Sequence, residues 1–459
     1  WTRGAYVQDD WRVTRRLTLN IGLRYDYNQP IKEVGGKFAN FSMQALGPGQ
    51  GHATLFYAAS QQNNYLAPAF TNLLAANNVA IQYMKNPFLV NSQKTNFSPR
   101  FGFAFSADDK TVIRGGYGIF FGGVENTGGP ETLQNYPFQF TSNFNRGSSC
   151  TPGNCATDGI YLATGFQQYL AAGLANLIST PSFAGSQQNI QNPYTESYNL
   201  TFQRALTSNV VASLGYVGDV TRHLIINVNT NSPAALIDPR LSTQTVTPFP
   251  AFGSVGTNEY VGISSYNSLQ TKLEKRYENG LNFLATYTWA HSMDDASQPL
   301  GGTGYRGINL IGASSDFANS QADVRHRVTF NGYYQLPFGK GKRFANRGGI
   351  FDVLAGGWAG DLQFTAQTGF PFTVGTNLGS AGPNGGSANA ILIRNPFAPG
   401  GTPDPSVSAV ASVTCASSTR NKTHWYNPCA FANPPVAFPN AAVTGSPVST
   451  TQIVGLNAL

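Results

Sequence analysis

The sequence predicts an all-β chain, an antiparallel transmembrane β-barrel segment of about ten strands with long extracellular loops. Three features point there. Apolar and polar residues alternate strictly over stretches of about 10–13 residues. Connections alternate between very short and very long. The composition is poor in charge yet contains no long apolar run.

Of the 459 residues 12% are aromatic, with 50 Gly but only 3 Met. Charged residues make up 11%, less than half of the roughly 25% usual in soluble globular proteins. Mean hydropathy is −0.20, and no run approaches the roughly 18 apolar residues of a membrane-crossing helix. A helical membrane protein is therefore excluded. A barrel strand shows lipid only every second residue, which keeps the average near neutral. The 29 Lys and Arg exceed the 22 Asp and Glu, giving a net charge of +7. They are scattered, with no basic stripe or recognition helix, so no nucleic-acid partner is expected. The first residues, WTRGAYVQDDW, are neither a signal peptide nor a start at Met, and the chain reads as an excised segment.

A first strand over Tyr6 to Val13 precedes Arg16 to Tyr27. There Leu17, Leu19, Ile21, Leu23, Tyr25 and Tyr27 share one face; Arg16, Thr18, Asn20, Gly22, Arg24 and Asp26 share the other. Soluble strands usually run about 5–6 residues, whereas a dozen alternating residues cross a bilayer at a tilt. Phe97 to Ser106 sets Phe101, Phe103 and Phe105 opposite Arg100. After Ala107-Asp108-Asp109 the chain returns through Lys110 to Gly122, with Ile113, Tyr117, Ile119 and Phe121 opposite Arg114. Tyr194 to Leu206 turns at Thr207-Ser208 into Val210, Ala212, Leu214 and Tyr216. Leu269, Thr271 and Leu273 oppose Ser268, Gln270, Lys272, Glu274 and Arg276. Glu278-Asn279-Gly280 is a strong hairpin turn, leading into Leu281, Phe283, Ala285, Tyr287 and Trp289. Val328, Phe330, Tyr334 and Leu336 oppose Arg327, Thr329 and Asn331, and Trp358 to Phe370 follows.

Four hairpin turns take only a few residues, and the fifth spans about a dozen around Gly339 to Gly349. Between hairpins the chain runs through long stretches, about 29–95, 123–192, 222–263, 292–323 and 371–450, read as loops. Within them Tyr161 to Ile178, and more loosely Tyr65 to Met84, space apolar residues at a helical period. Both are expected as short loop helices over the barrel mouth.

Aromatics gather near strand ends: Trp11, Tyr25, Tyr27, Phe120, Phe121, Tyr194, Tyr287, Trp289 and Trp358. Trp11, Tyr25, Tyr27, Tyr287, Trp289 and Trp358 are the candidates for interfacial girdles. Ordinary sheet packing is the rival reading. Arg24, Arg100, Arg114, Lys272, Glu274, Arg276 and Arg327 should face a lumen, since charge on the lipid face costs roughly 2–4 kcal/mol at the midplane. There they either touch an anionic ligand or pair with neighbours such as Asp26.

Cys150 and Cys155 flank a Pro-Gly turn, and Cys415 and Cys429 flank TRNKTHWYNP. Both pairs sit in loop-like sequence and are expected as disulfides of an oxidising compartment. A metal site is the rival, with His424 the nearest added ligand. No zinc-binding helix motif or phosphate loop occurs. Asp9-Asp10, Asp108-Asp109 and Asp294-Asp295 do not form an acid–base pair, because adjacent strand residues point to opposite faces. The chain reads as no enzyme, with no cofactor.

Several strings resemble one family: VQDDWRVTRRLTLNIGLRYDY (7–27), NFSPRFGFAFS and KTVIRGGYGIFFG (96–122), and YNSLQTKLEKRYENGLNFLATYTWAHSMDD (266–295). DVRHRVTFNGYYQLPFGKGKRF (323–344) and GGWAGDLQFTAQTGFPFTV (356–374) follow in the same order. Together they resemble TonB-dependent receptors of the Oar-like type, which carry an N-terminal carboxypeptidase-regulatory-like domain. The resemblance implies a barrel of about 22 strands closed by a plug in the bacterial outer membrane. It also implies a TonB complex pulling on that plug to drive uptake. Residues 1–459 would then be a partial barrel domain, with plug, TonB box and C-terminal strands outside it. The expected partners are outer-membrane lipid, the protein's own N-terminal plug domain, the TonB complex and an unidentified extracellular ligand. A surface-interaction or adhesion protein and a passive porin remain alternatives.

Overall fold

The computed structural model describes residues 2–44, 51–122, 135–139, 181–231, 247–295, 317–372, 374, 391–401, 415, 418 and 425–432. The strands in chain order are β1 (Thr2–Arg12), β2 (Leu17–Asn28), β3 (Ala39–Gln44), β4 (His52–Ala58), β5 (Val79–Met84), β6 (Phe97–Ser106), β7 (Thr111–Phe121) and β8 (Phe183–Ser186). They continue with β9 (Tyr194–Ala205), β10 (Val210–Asn229), β11 (Val255–Glu278), β12 (Leu281–Asp294), β13 (Ala318–Asn319), β14 (His326–Gln335), β15 (Ala359–Gln367), β16 (Ile391–Leu392) and β17 (Phe431–Ala432). Two helices, α1 (Pro68–Ala76) and α2 (Ile350–Ala355), lie in connections.

The ten alternating stretches read from the sequence are the ten strands of one path, β1-β2-β6-β7-β9-β10-β11-β12-β14-β15. Every neighbouring pair on this path is antiparallel. Short β8 and β13 attach to β11 and β12 and complete a 12-stranded sheet. Opposed residues in a ladder share a face, so the registers carry one apolar face across the whole path. It runs through Trp11↔Leu19, Leu19↔Phe103, Phe103↔Gly115, Gly115↔Leu200 and Leu200↔Tyr216. It continues through Tyr216↔Leu269, Leu269↔Trp289, Phe283↔Gly332 and Gly332↔Leu362.

This apolar face is not buried by protein. Leu23 is 45% and Tyr287 37% exposed, while Leu19 and Phe283 are half-buried. Among the described residues of the ten path strands, the buried apolar ones are Ile226, Val228, Val255 and Tyr260, at the long-loop ends of β10 and β11, and Ala290, on the opposite face. An apolar surface so extensive needs a nonaqueous solvent, and strands of 9–14 residues in β12, β14 and β15 suffice to cross a bilayer. At two glycines that interrupt this face, a cross-strand ring lies over the gap. Phe103 covers Gly115 and Tyr198 covers Gly218, the aromatic cover that compensates a missing side chain in sheets.

The turns follow local chemistry. Asn279 (φ 54°) and Gly280 (φ 81°) both take left-handed geometry, which a two-residue hairpin with the right twist demands. Asp108 accepts from the Lys110 backbone N–H (2.8 Å) and the Thr111 hydroxyl (3.1 Å), closing the β6–β7 turn.

The loop expectation needs correction. Residues 222–229 and 255–263 are strand, because β10 reaches Asn229 and β11 starts at Val255. Beyond the wall both faces of these strands are covered, as Ile226, Val228, Val255 and Tyr260 are buried, so the lipid-type alternation disappears. Residues 29–95 hold a separate three-stranded sheet, β3-β4-β5. Of the helical stretch expected over Tyr65 to Met84, only α1 is helix. Asn78 adopts a positive φ of 57° after it, and Val79–Met84 is strand paired in parallel with β4. Tyr161 to Ile178 lies outside the described residues. The β14–β15 connection contains α2, which sequence reasoning missed.

The wall predicts an asymmetry between adjacent residues. Leu200→Lys, on the apolar face at mid-strand, should cost ~2–4 kcal/mol in a bilayer. Thr201→Lys, on the opposite face, should cost under about 1 kcal/mol. Denaturant titrations of both variants folded into lipid vesicles measure the difference.

Candidate ligand-binding cap and polar face

Among the described residues, the largest hydrophobic core lies in the long connections. Phe41, Tyr57 and Phe70 come from residues 29–96; Phe183 comes from the β7–β9 connection; Phe249 and Phe252 come from the β10–β11 connection. Phe41 stacks on Phe183 at 4.3 Å between centroids, and Phe249 on Phe252 at 5.0 Å. Phe70 meets Tyr136 at 4.3 Å, and Phe183 meets Phe252 edge-on at 5.1 Å. Each buried ring contributes about 1.5–3 kcal/mol, so three connections far apart in sequence are held as one folded cap at the long-loop end.

Backbone strands meet imperfectly in this cap, and asparagine side chains make the missing bonds. Asn40 donates to the carbonyls of Leu89 (3.1 Å) and Ser186 (3.2 Å) and accepts from the Ser186 N–H (2.9 Å). Asn135 donates to Ala39 (2.7 Å) and Ala184 (2.5 Å) and accepts from the Ala184 N–H (2.9 Å). Asn231 donates to Phe249 (3.1 Å) and Gly253 (2.7 Å) and accepts from the Phe249 N–H (2.8 Å). An amide offers donor and acceptor at once, so one buried side chain imitates a backbone partner. At Gly185 the backbones approach so closely that a Cβ would overlap the Phe41 carbonyl. The Tyr57 hydroxyl donates to the Tyr136 carbonyl at 2.7 Å, and burial raises its pKa far above the ordinary phenol range. At the rim the Glu33 carboxylate accepts from the Lys37 N–H (2.7 Å), which with the Gly35 N–H lowers its pKa.

The second element is the polar face of the wall. The registers bring Arg24, Arg100, Arg114, Lys272, Glu274 and Arg327 to this one face, through Gly22↔Arg100, Ala104↔Arg114, Arg114↔Thr201, Ser213↔Lys272 and Thr288↔Arg327. Arg276 lines the same side in an open polar recess of about 520 Å³ with Lys272, Glu274, Asn331, Tyr333, Asp361 and Gln363. Neighbours two apart along a strand pair up: Arg24 with Asp26 at 2.7 Å and Lys272 with Glu274 at 2.8 Å. Arg114 donates to Gln203 at 2.8 Å, and Arg100 lies over the Phe120 ring at 4.7 Å. Phe120, near the end of β7, thus sits on the polar face. Phe121 keeps the apolar side, as alternation requires.

Trp11, Tyr25, Tyr27, Tyr287, Trp289 and Trp358 all take the parity of the apolar face. Trp11 and Trp358 stand at the short-turn end, and Tyr25, Tyr27 and Trp289 toward the long-loop end. Tyr287 lies nearer the middle, its hydroxyl 2.9 Å from His326 Nδ1. Cys415 and Cys429 are disulfide-bonded, with Cα atoms 5.4 Å apart. Asn427 accepts from the Cys429 N–H (3.2 Å) and donates to Ala398 (2.9 Å) and Gly400 (2.7 Å). Cys150 and Cys155 lie outside the described residues. Asp9 and Asp10 point to opposite faces, opposed to Ile21 and Asn20. Among the described residues no three of His, Cys, Asp and Glu gather as metal ligands.

The cap core predicts that Asn135→Ala, which leaves two buried carbonyls and one N–H without a partner, costs ~1–3 kcal/mol for each orphaned group. Hydrogen exchange should quicken across β3, β4 and β8 while β6 and β7 stay protected. Equal exchange in cap and wall would contradict the separate core.

No functionally curated protein is recognisably similar to this chain. Among solved structures, the outer membrane transporter YddB from Escherichia coli is 14% identical, with a TM-score of 0.35 over 80% of this chain and 37% of its own. The siderophore receptor PirA from Acinetobacter baumannii is 11% identical, with a TM-score of 0.35 over 80% of this chain and 38% of its own. The alcaligin receptor FauA from Bordetella pertussis is 12% identical, with a TM-score of 0.29 over 73% and 34%. The chain thus spans well under half the length of these proteins. Residues 1–454 match the family described as "Outer membrane beta barrel domain". The chain belongs to that family and is part of a β-barrel of the bacterial outer membrane.

Proposed function

We propose that this chain is the wall and outer cap of a receptor that captures a ligand outside the cell and admits it through the barrel by TonB-coupled uptake. The observation carrying this reading is the cap: three long connections share one aromatic core, which gives a rigid surface where a plain pore would need only short rims. Preorganised surfaces bind with less loss of conformational entropy. In this reading the polar face, with Arg24, Arg100, Arg114, Lys272, Glu274, Arg276 and Arg327, lines the lumen and contacts the protein's own N-terminal plug. The six aromatic candidates form girdles against outer-membrane lipid. The five strings that resemble Oar-like TonB-dependent receptors support the coupling and the plug. The same folded cap also favours a second reading, surface interaction or adhesion without transport.

The test uses the full-length protein in its own membrane. A deletion strain screened on different nutrients should lose growth on one of them, and a TonB-deficient strain should show the same loss. Phe41→Ala, expected to cost ~3–5 kcal/mol in the cap, should reproduce it with the barrel still assembled. Unchanged growth with lost surface attachment would favour adhesion, and steady open conductance in planar bilayers a passive porin.

A further inference from the structure

The β14–β15 connection is the longest at the short-turn end, and three apolar side chains of its helix lack protein cover. In α2, Ile350 is 77% exposed, Val353 81% and Leu354 68%. Just before the helix, Lys340, Arg343 and Arg347 are exposed. With Lys342, four basic residues lie between β14 and β15 against one acid, Asp352. That acid is already engaged, accepting from the Lys340 backbone N–H at 2.6 Å.

Geometry joins this helix to the outer surface of the wall. The Trp358 indole N–H donates to the Leu354 carbonyl at 2.9 Å. Trp358 shares the parity of Gly360 and Leu362, which oppose Tyr334 and Gly332 on the apolar face. The exposed side chains of α2 therefore continue the apolar face past its end, with cations beside them. A six-residue helix has little intrinsic stability in water. An apolar surface bordered by Lys and Arg is the composition of helices lying in a membrane interface.

We propose that the β14–β15 connection is a membrane-interface anchor binding anionic phospholipid of the periplasmic leaflet. Ile350, Val353 and Leu354 enter the upper acyl region, and Lys340, Arg343 and Arg347 meet phosphodiester headgroups. A phospholipid surface fits better than a protein partner because the apolar patch is continuous with the lipid-facing wall and because basic segments favour anionic bilayers. The proposal rests on reading the apolar face as lipid-facing and the short-turn end as periplasmic.

The whole chain in nanodiscs provides the test, read by hydrogen exchange of residues 348–357. Exchange should slow several-fold when phosphatidylglycerol is added to phosphatidylcholine. K340Q/K342Q/R343Q/R347Q should abolish that dependence on lipid charge. Identical exchange of the unmodified chain in both lipids would overturn the anchor. Equal protection in detergent, with or without the four substitutions, would also overturn it, since protein would then be the cover. Amides of β14 and β15 report the wall in the same experiment: their rapid exchange in every lipid would sink the lipid-facing reading itself.

Discussion

The antiparallel hydrogen-bond ladder running unbroken from β1 to β15 is the constraint on which the structure depends. In a bilayer core no water can satisfy a backbone N–H or carbonyl, so each crossing strand must find partners beside it. Because side chains alternate with period two, each register also decides which face every residue takes. A slip of one residue would carry a full apolar row to the polar side. Arg24 and Arg327, on strands near opposite ends of the path, share a face because seven registers between them preserve parity. Exposed Leu and Phe side chains, a liability in water, are what this solvent requires.

Beyond the bilayer the physics changes. Water competes for every backbone group, and apolar residues must again be hidden from it. The chain responds by burying Phe41, Phe70, Phe183, Phe249 and Phe252 together. Strand segments that no longer face lipid, such as Ile226 to Asn229 and Val255 to Tyr260, lose the simple alternation because protein covers both sides. Asn40, Asn135 and Asn231 then bond where ladders are interrupted. Wall and cap are thus built on opposite principles, and the joint lies within β10 and β11.

The wall was legible in the sequence because its code is local: the identity of residues i and i+2 is enough to assign a face in a strand of known solvent. All ten path strands, the Asn279-Gly280 turn and the common face of the charged candidates follow from that rule. The cap was hidden because its code is nonlocal. Phe183 has no periodic company in its own segment, and its partners Phe41 and Phe252 lie far away in the chain. Buried asparagines read as loop residues by type, and a signal for Asn135 or Asn231 would require knowing which carbonyls come near. A short helix such as α2 completes too few turns for periodicity to register.

What the sequence by itself determined is the solvent and the faces: a charge-poor chain alternating over membrane-length spans has no other way to satisfy its side chains. What only tertiary structure decided is how the long connections fold, which of their rings meet, and that the Arg100 guanidinium lies over the Phe120 ring. The physical reason is range. Lipid acts on every strand in the same way and leaves a repeated mark, whereas a protein-covered core is made by particular residues brought together once.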